Sequence, residues 1–221
     1  YISSNGFKDF LPHVRKKFIL SLNLKEVQSS TREKFYETFK RGNDVIRILY
    51  IGAISYFDEN VRFLARFGNN SSFIIQYVGF GPAASLIESH CKEMGYENVE
   101  FVGRYRPADK SDFYYSADLI YNLYGNNSHL TRYALSNKLY DSAIHYRPIL
   151  VNQNTLMSYE AVINGFGYEV QLDEENCADR LLFWYKSLDR QDFKSKCDIY
   201  IENSSKINSS FRSDLKLFID S

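Results

Sequence analysis

Residues 46–52 read Ile-Arg-Ile-Leu-Tyr-Ile-Gly, a β-branched and aromatic run that ends at a glycine. Such a run reads as a strand buried on both faces. The same grammar repeats down the chain. Phe73–Val78 (FIIQYV) ends at Gly79, and Val99–Val102 (VEFV) ends at Gly103. Leu119–Leu123 (LIYNL) follows Asp118 and ends at Tyr124-Gly125, while Pro148–Val151 (PILV) and Gly167–Val170 (GYEV) are shorter runs of the same kind. Segments of helical length lie between them. Glu59–Phe67 places Val61, Leu64 and Ala65 on one face, and Ala83–Met94 places Ala84, Ile87, Cys91 and Met94 on one face. Leu130–Ile144 and Leu156–Ile163 repeat the theme. Strands alternating with helices predict βαβ units, and hence an α/β, Rossmann-like parallel sheet flanked by helices.

Outward from this centre the pattern changes. The strands cease at Asp173, and Leu181–Leu188 and Phe211–Phe218 read as closing C-terminal helices. Before residue 45, Phe18–Leu20 reads as a short strand and Thr31–Phe39 as a charged helix with Phe35 and Phe39 on one side. The whole chain has 221 residues, 44% hydrophobic and 24% charged, which excludes wholesale disorder. Lys plus Arg and Asp plus Glu are 27 each, so the strongly basic footprint of a nucleic-acid binder is absent. No apolar run is long enough to span a bilayer.

Other chemistries lack their signatures. Cys91, Cys177 and Cys197 form no CxxC pair and read as reduced thiols of a cytosolic protein. His13, His90, His129 and His145 show no HExxH spacing, so no metal is expected. No Gly-x-Ser-x-Gly elbow is present for a hydrolase. The Gly-x-Gly-x-x-Gly dinucleotide fingerprint fails because position 84 is Ala, which disfavours an NAD enzyme.

Two constellations point to a ligand. In doubly wound sheets, ligands bind beyond the carboxyl ends of the strands, and Gly52, Gly79, Gly81 and Gly103 all fall there. These glycines either admit a ligand close to the main chain or only make tight βα turns. Pro82 suits the first turn of the helix that follows. The second constellation is Ser136-Asn137-Lys138-Leu139-Tyr140-Asp141, after the polar loop Gly125–His129. Ser136 or Asn137 can cap a helix, Lys138 can meet phosphate, and Asp141, three residues on, can hold sugar hydroxyls. The plainer alternative is a capped surface helix carrying a weak Lys138–Asp141 pair.

Seven motifs between Val45 and Val170 occur in an order that carries a resemblance. They are Tyr50-Ile51-Gly52, Val78-Gly79-Phe80-Gly81-Pro82, Asn98-Val99-Glu100-Phe101-Val102-Gly103 and Tyr115-Ser116-Ala117-Asp118. Asn137-Lys138-Leu139-Tyr140-Asp141, Arg147-Pro148-Ile149-Leu150 and Gly165-Phe166-Gly167 complete the series. This stretch resembles the C-terminal, donor-binding half of a retaining "group 1" glycosyltransferase of the GT-B fold.

The resemblance implies sugar transfer from a nucleoside-diphosphate sugar to a saccharide or lipid-linked acceptor, in surface-polysaccharide or capsule assembly. It implies a base site near Gly103, Arg104 and Tyr105, a diphosphate site around Asn137, Lys138 and Leu139, and ribose hydroxyls on Asp141. It further implies no metal or cofactor, no nucleic-acid partner, and a cytoplasmic protein working at the inner membrane face as a peripheral one. Residues 1–44 would be the tail of an acceptor-binding N-terminal domain with its linker, 45–200 the nucleotide-sugar-binding domain, and 201–221 a C-terminal helix. Two departures stand out. Ala53–Asp58 lacks the Arg and Lys with which similar proteins grip the diphosphate, and their paired glutamates become Tyr133 and Asp141. Arg104, Arg132 and Lys138 are the candidate substitutes. The catalytic residues are not assigned. The alternatives are a non-catalytic nucleotide-sugar-binding module and a nucleotide-binding α/β oxidoreductase or regulatory domain.

Overall fold

The computed structural model describes residues 3–10, 19–24, 29–41 and 44–219. Every run predicted as a strand from Ile46 onward forms one: β1 Ile46–Gly52, β2 Phe73–Gly79, β3 Val99–Gly103, β4 Leu119–Asn122, β5 Ile149–Val151 and β6 Gly167–Glu169. They make one parallel sheet in the order β3-β2-β1-β4-β5-β6. The helices are α1 Ser29–Arg41, α2 Phe57–Phe67, α3 Ala84–Met94, α4 Lys110–Ser116, α5 His129–Tyr133, α6 Asn137–Ile144, α7 Leu156–Ile163, α8 Cys177–Ser187 and α9 Arg190–Ile219. The chain runs outward from β1 to β3, returns to pair β4 with β1, and runs outward the other way from β4 to β6. That reversal puts α2 and α3 on one face and α6 and α7 on the other, and opens a crevice between β1 and β4. α2 touches α3 and α8, while α6 touches α9, as does α1.

An aromatic ladder crosses the sheet centre. Phe101, Tyr77, Tyr50 and Tyr121, one from each of four adjacent strands, follow one another at centroid distances of 5.0, 5.3 and 5.0 Å. Cross-strand aromatic pairs of this kind help fix register. The Tyr77 hydroxyl donates to Asn60 Oδ1 at 2.8 Å and that of Tyr50 to the Ala53 carbonyl at 2.9 Å. Burial pushes the pKa of both tyrosines far above the ordinary range.

Arg147 ties α1 to this core. Its guanidinium is buried and donates to the carbonyls of Tyr114, Phe35, His145, Tyr146 and Tyr115 and to Thr38 Oγ1, all within 3.1–3.2 Å. Burial lowers its pKa to about 10. Phe35, Tyr36 and Phe39 of α1 are buried with the core, so α1 is part of the packed body. Asp118 accepts from the Arg47 amide at 2.9 Å and from the Tyr185 hydroxyl at 3.0 Å, linking β1 to α8.

Several expectations are corrected. The single helix over 130–144 is two, α5 and α6, because Ser136 takes extended angles and caps α6 through the Lys138 amide. Helix 181–188 begins earlier, at Cys177, and 211–218 is only the end of α9, which runs through residue 200 without a break. Phe18 lies outside the described residues, and Leu20 forms an isolated bridge rather than a strand. On α2 the buried apolar face is Phe63, Leu64 and Phe67; Val61 is only half-buried and Ala65 is exposed. On α3, Ile87 and Cys91 are buried, but Met94 is exposed. The helix α4 follows Arg106, whose guanidinium pairs with Asp109 at 2.7 Å, and no periodic apolar run announces it.

Candidate functional site at the strand ends

The candidate glycines divide into two kinds. Gly79 and Gly81 serve chain packing. A Cβ at Gly79 would lie 1.9 Å from the Gly52 carbonyl oxygen, and one at Gly81 would lie 2.1 Å from that of Ile54. Gly52 and Gly103 face open space, with φ of +115° and +79°. Of these four, Gly52 and Gly79 border a cleft of about 550 Å³ together with Ala53, Phe80, Arg104, Tyr105 and Pro107, within the roughly 300–1,000 Å³ usual for small-molecule sites. The Arg104 guanidinium lies 4.3 Å from the centroid of the exposed Phe80 ring. Lys110 also lines the cleft.

Lys110 in turn meets Asp141 of α6. Its carboxylate is largely buried, and its Oδ2 accepts from Lys110 Nζ at 2.5 Å and from the Tyr114 hydroxyl at 3.1 Å. The Lys138–Asp141 pair of the plainer alternative does not form. Asp141 instead joins α6 to α4, a contact the sequence spacing did not show. Behind it, the His145 ring stacks on Tyr114 at 4.4 Å, and its Nδ1–H donates to the Asp141 carbonyl at 2.6 Å. Burial pushes the His145 pKa down to about 4.

Lys138 points the other way, into the crevice between β1 and β4. The side chain is buried, and Nζ donates to the Tyr124 hydroxyl at 2.5 Å. It lies 4.9 Å from the Tyr50 ring centroid and 5.0 Å from that of Tyr124. Among the described residues no carboxylate pairs with it. Tyr56 stacks on the far side of Tyr124 at 4.9 Å and sits in the left-handed region with φ 60°, a strained setting for a non-glycine residue.

Tyr124 is itself fixed by a network that sequence reading missed. Asn152 Oδ1 accepts from the amides of Tyr124 and Gly125 at 2.7 and 2.8 Å, and Asn152 Nδ2 donates to the buried Glu59. Glu59 also pairs with Arg62 at 3.0 Å. Only the position of Tyr124, directly after a strand, hinted at its importance.

The remaining candidates behave differently. Leu139 is fully buried core. Asn137 is exposed at the first position of α6. The amides of Lys138 and Leu139 already bond to Ser136, at 3.2 Å to Oγ and 3.0 Å to the carbonyl. What this helix start offers an anion is therefore chiefly the ammonium. Arg132 is exposed and donates to the Asn126 carbonyl at 2.7 Å, which braces the 125–128 loop rather than lining the cleft. Tyr105 borders the cleft beside Phe113. A second cavity of about 270 Å³ adjoins Tyr124, with Ser136, Asn122, Leu130 and Met157 in its wall. Among the described residues no three potential metal ligands gather, and no helix is long and apolar enough to cross a membrane.

No family profile and no curated protein matches the chain. Solved structures do. Anabaena HepE in complex with UDP and glucose superposes with a TM-score of 0.67 at 11% identity, over 97% of this chain and 61% of that one. The pneumococcal O-GlcNAc transferase GtfA in complex with UDP and GlcNAc gives 0.67 at 10% identity, over 100% of this chain and 45% of that one. Sucrose-phosphate synthase from Thermosynechococcus elongatus gives 0.67 at 13% identity, over 100% of this chain and 58% of that one. These neighbours are GT-B glycosyltransferases, and the present chain has the fold of a single domain of that architecture. It spans about half the length of the structures it matches.

Proposed function

We propose that this chain is the donor-binding domain of a glycosyltransferase, binding a nucleoside-diphosphate sugar for transfer to a saccharide or lipid-linked acceptor. The observation that carries this reading is Lys138. A buried ammonium that meets tyrosines and no carboxylate among the described residues, at the crevice where doubly wound sheets bind ligands, is a cation that an anion can complete. A diphosphate supplies that anion. Asp141, one helical turn on, is oriented by Lys110 and Tyr114 and can accept a ribose diol on the oxygen they leave unbonded. The base then falls in the cleft bordered by Arg104, Tyr105 and Phe80. In the reaction an acceptor hydroxyl oxygen bonds to the anomeric carbon as the bond from that carbon to the β-phosphate oxygen breaks; the diphosphate leaves with the electron pair and takes up the hydroxyl proton. Lys138 stabilises that developing charge in a site screened from water. The neighbours that hold UDP with a sugar support the same reading.

The finer setting belongs to the proposal as well. Surface-polysaccharide or capsule assembly, at the cytoplasmic face of a membrane and without a metal, rests on the motif resemblance. So does the division into 1–44, 45–200 and 201–221, with the acceptor met by a preceding domain. A second reading, a non-catalytic nucleotide-sugar-binding module, is favoured by one observation: Ala53–Asp58 brings no cation to the site, and Tyr133 stands where similar proteins carry glutamate.

Thermal unfolding with UDP, GDP, ADP, CMP, NAD and uridine tests the reading. A ligand at 100 times its dissociation constant adds about 2.7 kcal/mol. A selective rise with one nucleoside diphosphate is expected. A rise with NAD alone transfers the protein to the oxidoreductases. Turnover of a nucleotide sugar by the full-length protein separates the enzyme from the binding module.

A further inference from the structure

A cavity of about 200 Å³ lies between α6, α7 and α9, beside Leu20 and Leu22. It shares no lining residue with the cleft or with the cavity beside Tyr124. Two polar groups in its wall lack partners. The Tyr140 hydroxyl is buried and has no hydrogen-bond partner among the described residues, a state that native structures seldom leave unexplained. The Glu160 carboxylate is half-buried, and no Lys or Arg among the described residues lines the cavity with it. Lys196 and Lys206 of α9 pair instead with Asp192 and Glu202 on their own helix. Burial raises the Glu160 pKa, with no neighbouring cation to bring it down. Its charge reaches both the Tyr140 and the Tyr200 hydroxyls, whose rings stack at 6.3 Å. A carboxylate without a counter-charge, a free hydroxyl oxygen and aromatic faces are the surroundings an ammonium prefers. A metal ion asks for more. Hard metal ions take about six oxygen ligands, and among the described residues no three potential metal ligands gather.

We propose that this cavity is a second ligand site, and that its ligand is a small organic cation carrying a primary ammonium. The ammonium has three N–H donors and no acceptor. It donates to the Glu160 carboxylate and to the Tyr140 hydroxyl oxygen, so each unpartnered group gains what it lacks. The carbon chain of the ligand packs on Leu22 and Leu156, which line the same cavity. This site stands whether or not the strand ends bind a nucleotide sugar, because no residue is common to the two.

The experiment titrates the isotope-labelled chain with n-butylammonium and, separately, with n-butanol, and follows backbone and side-chain amides by NMR. The two probes share their carbon chain, so the ratio of their dissociation constants isolates the charge. n-Butylammonium is expected to bind at least about tenfold more tightly, with shifts at Tyr140, Glu160 and Asn164 that saturate together. In Glu160→Gln the preference should shrink to below about threefold. Gln keeps the shape of Glu and removes a desolvated charge, so this variant should be at least as stable as wild type. In Tyr140→Phe the ring stays and only the orphaned hydroxyl goes, so the fold should hold while n-butylammonium weakens by about threefold or more. Equal binding of the two probes overturns the proposal, and so does a preference that survives in Glu160→Gln. Shifts at exposed carboxylates with none at the cavity reveal only general attraction of a cation to the surface, and they overturn it too.

Discussion

The Lys138 ammonium donates to the Tyr124 hydroxyl at 2.5 Å, across the crevice between the start of α6 and the end of β4. This bond holds the cation in place before any ligand arrives. Tyr124 is in turn held by Asn152 and Glu59, so the cation is positioned through α2, β4 and the loop after β5. Preorganised charge of this kind needs little rearrangement when an anion binds.

Lys138→Ala should therefore weaken UDP by tenfold or more, in keeping with about 1.5–3 kcal/mol for a hydrogen bond to a charged group. Uridine, which carries no phosphate, should lose less than about twofold on the same grounds. Calorimetric titration of both ligands against both proteins decides the point. Equal losses for the two would remove Lys138 from the phosphate site.

Asp141→Ala should weaken uridine and UDP alike, because a ribose diol is common to both. The chain should stay folded, since Lys110 is partly exposed and can solvate its charge when its partner is gone. Comparing UDP with its 2′-deoxy counterpart sharpens the test. Wild type should prefer the ribose form and the variant should not; a preference that survives in the variant would place the diol elsewhere.

Gly79→Ala should destabilise the domain rather than the ligand. The added methyl would meet the Gly52 carbonyl at 1.9 Å, backbone against which it cannot turn, at a φ of +139° that L-residues rarely adopt. Separating β1 from β2 at the centre of the sheet should cost about 2–3 kcal/mol or more, read as a lower urea midpoint. A variant as stable as wild type would show that the strand ends relax freely.

Acid should weaken the fold through His145. In the fold, burial keeps the imidazole neutral and lowers its pKa from 6.5 to about 4. Below pH 6.5 the unfolded chain takes up a proton that the folded chain refuses. Stability therefore falls between pH 6.5 and 4, by about 2 kcal/mol at pH 5. Urea unfolding at pH 7 and pH 5 measures this. His145→Gln should lose correspondingly less over the same interval, and an identical loss would assign the acid sensitivity to other groups.

Much of this protein is written along its sequence. The short apolar runs marked all six strands of the sheet, and at β1, β4 and β5 the reason is burial on both faces, which requires a strand apolar nearly throughout. The alternation with helices determined the parallel topology, since parallel neighbours need a crossover. Asn137-Lys138-Leu139-Tyr140-Asp141 lies at the start of α6. What tertiary structure alone decided is how those residues are partnered. Lys138 and Asp141 share a helix and look like a pair, yet Tyr124 and Lys110 claim them separately, from the loop after β4 and from α4. Those partners come from segments 14 and 31 residues away in the chain. No local periodicity records such contacts. They arise only when the crossovers bring the strand ends together, where each buried polar group takes the nearest partner that satisfies it.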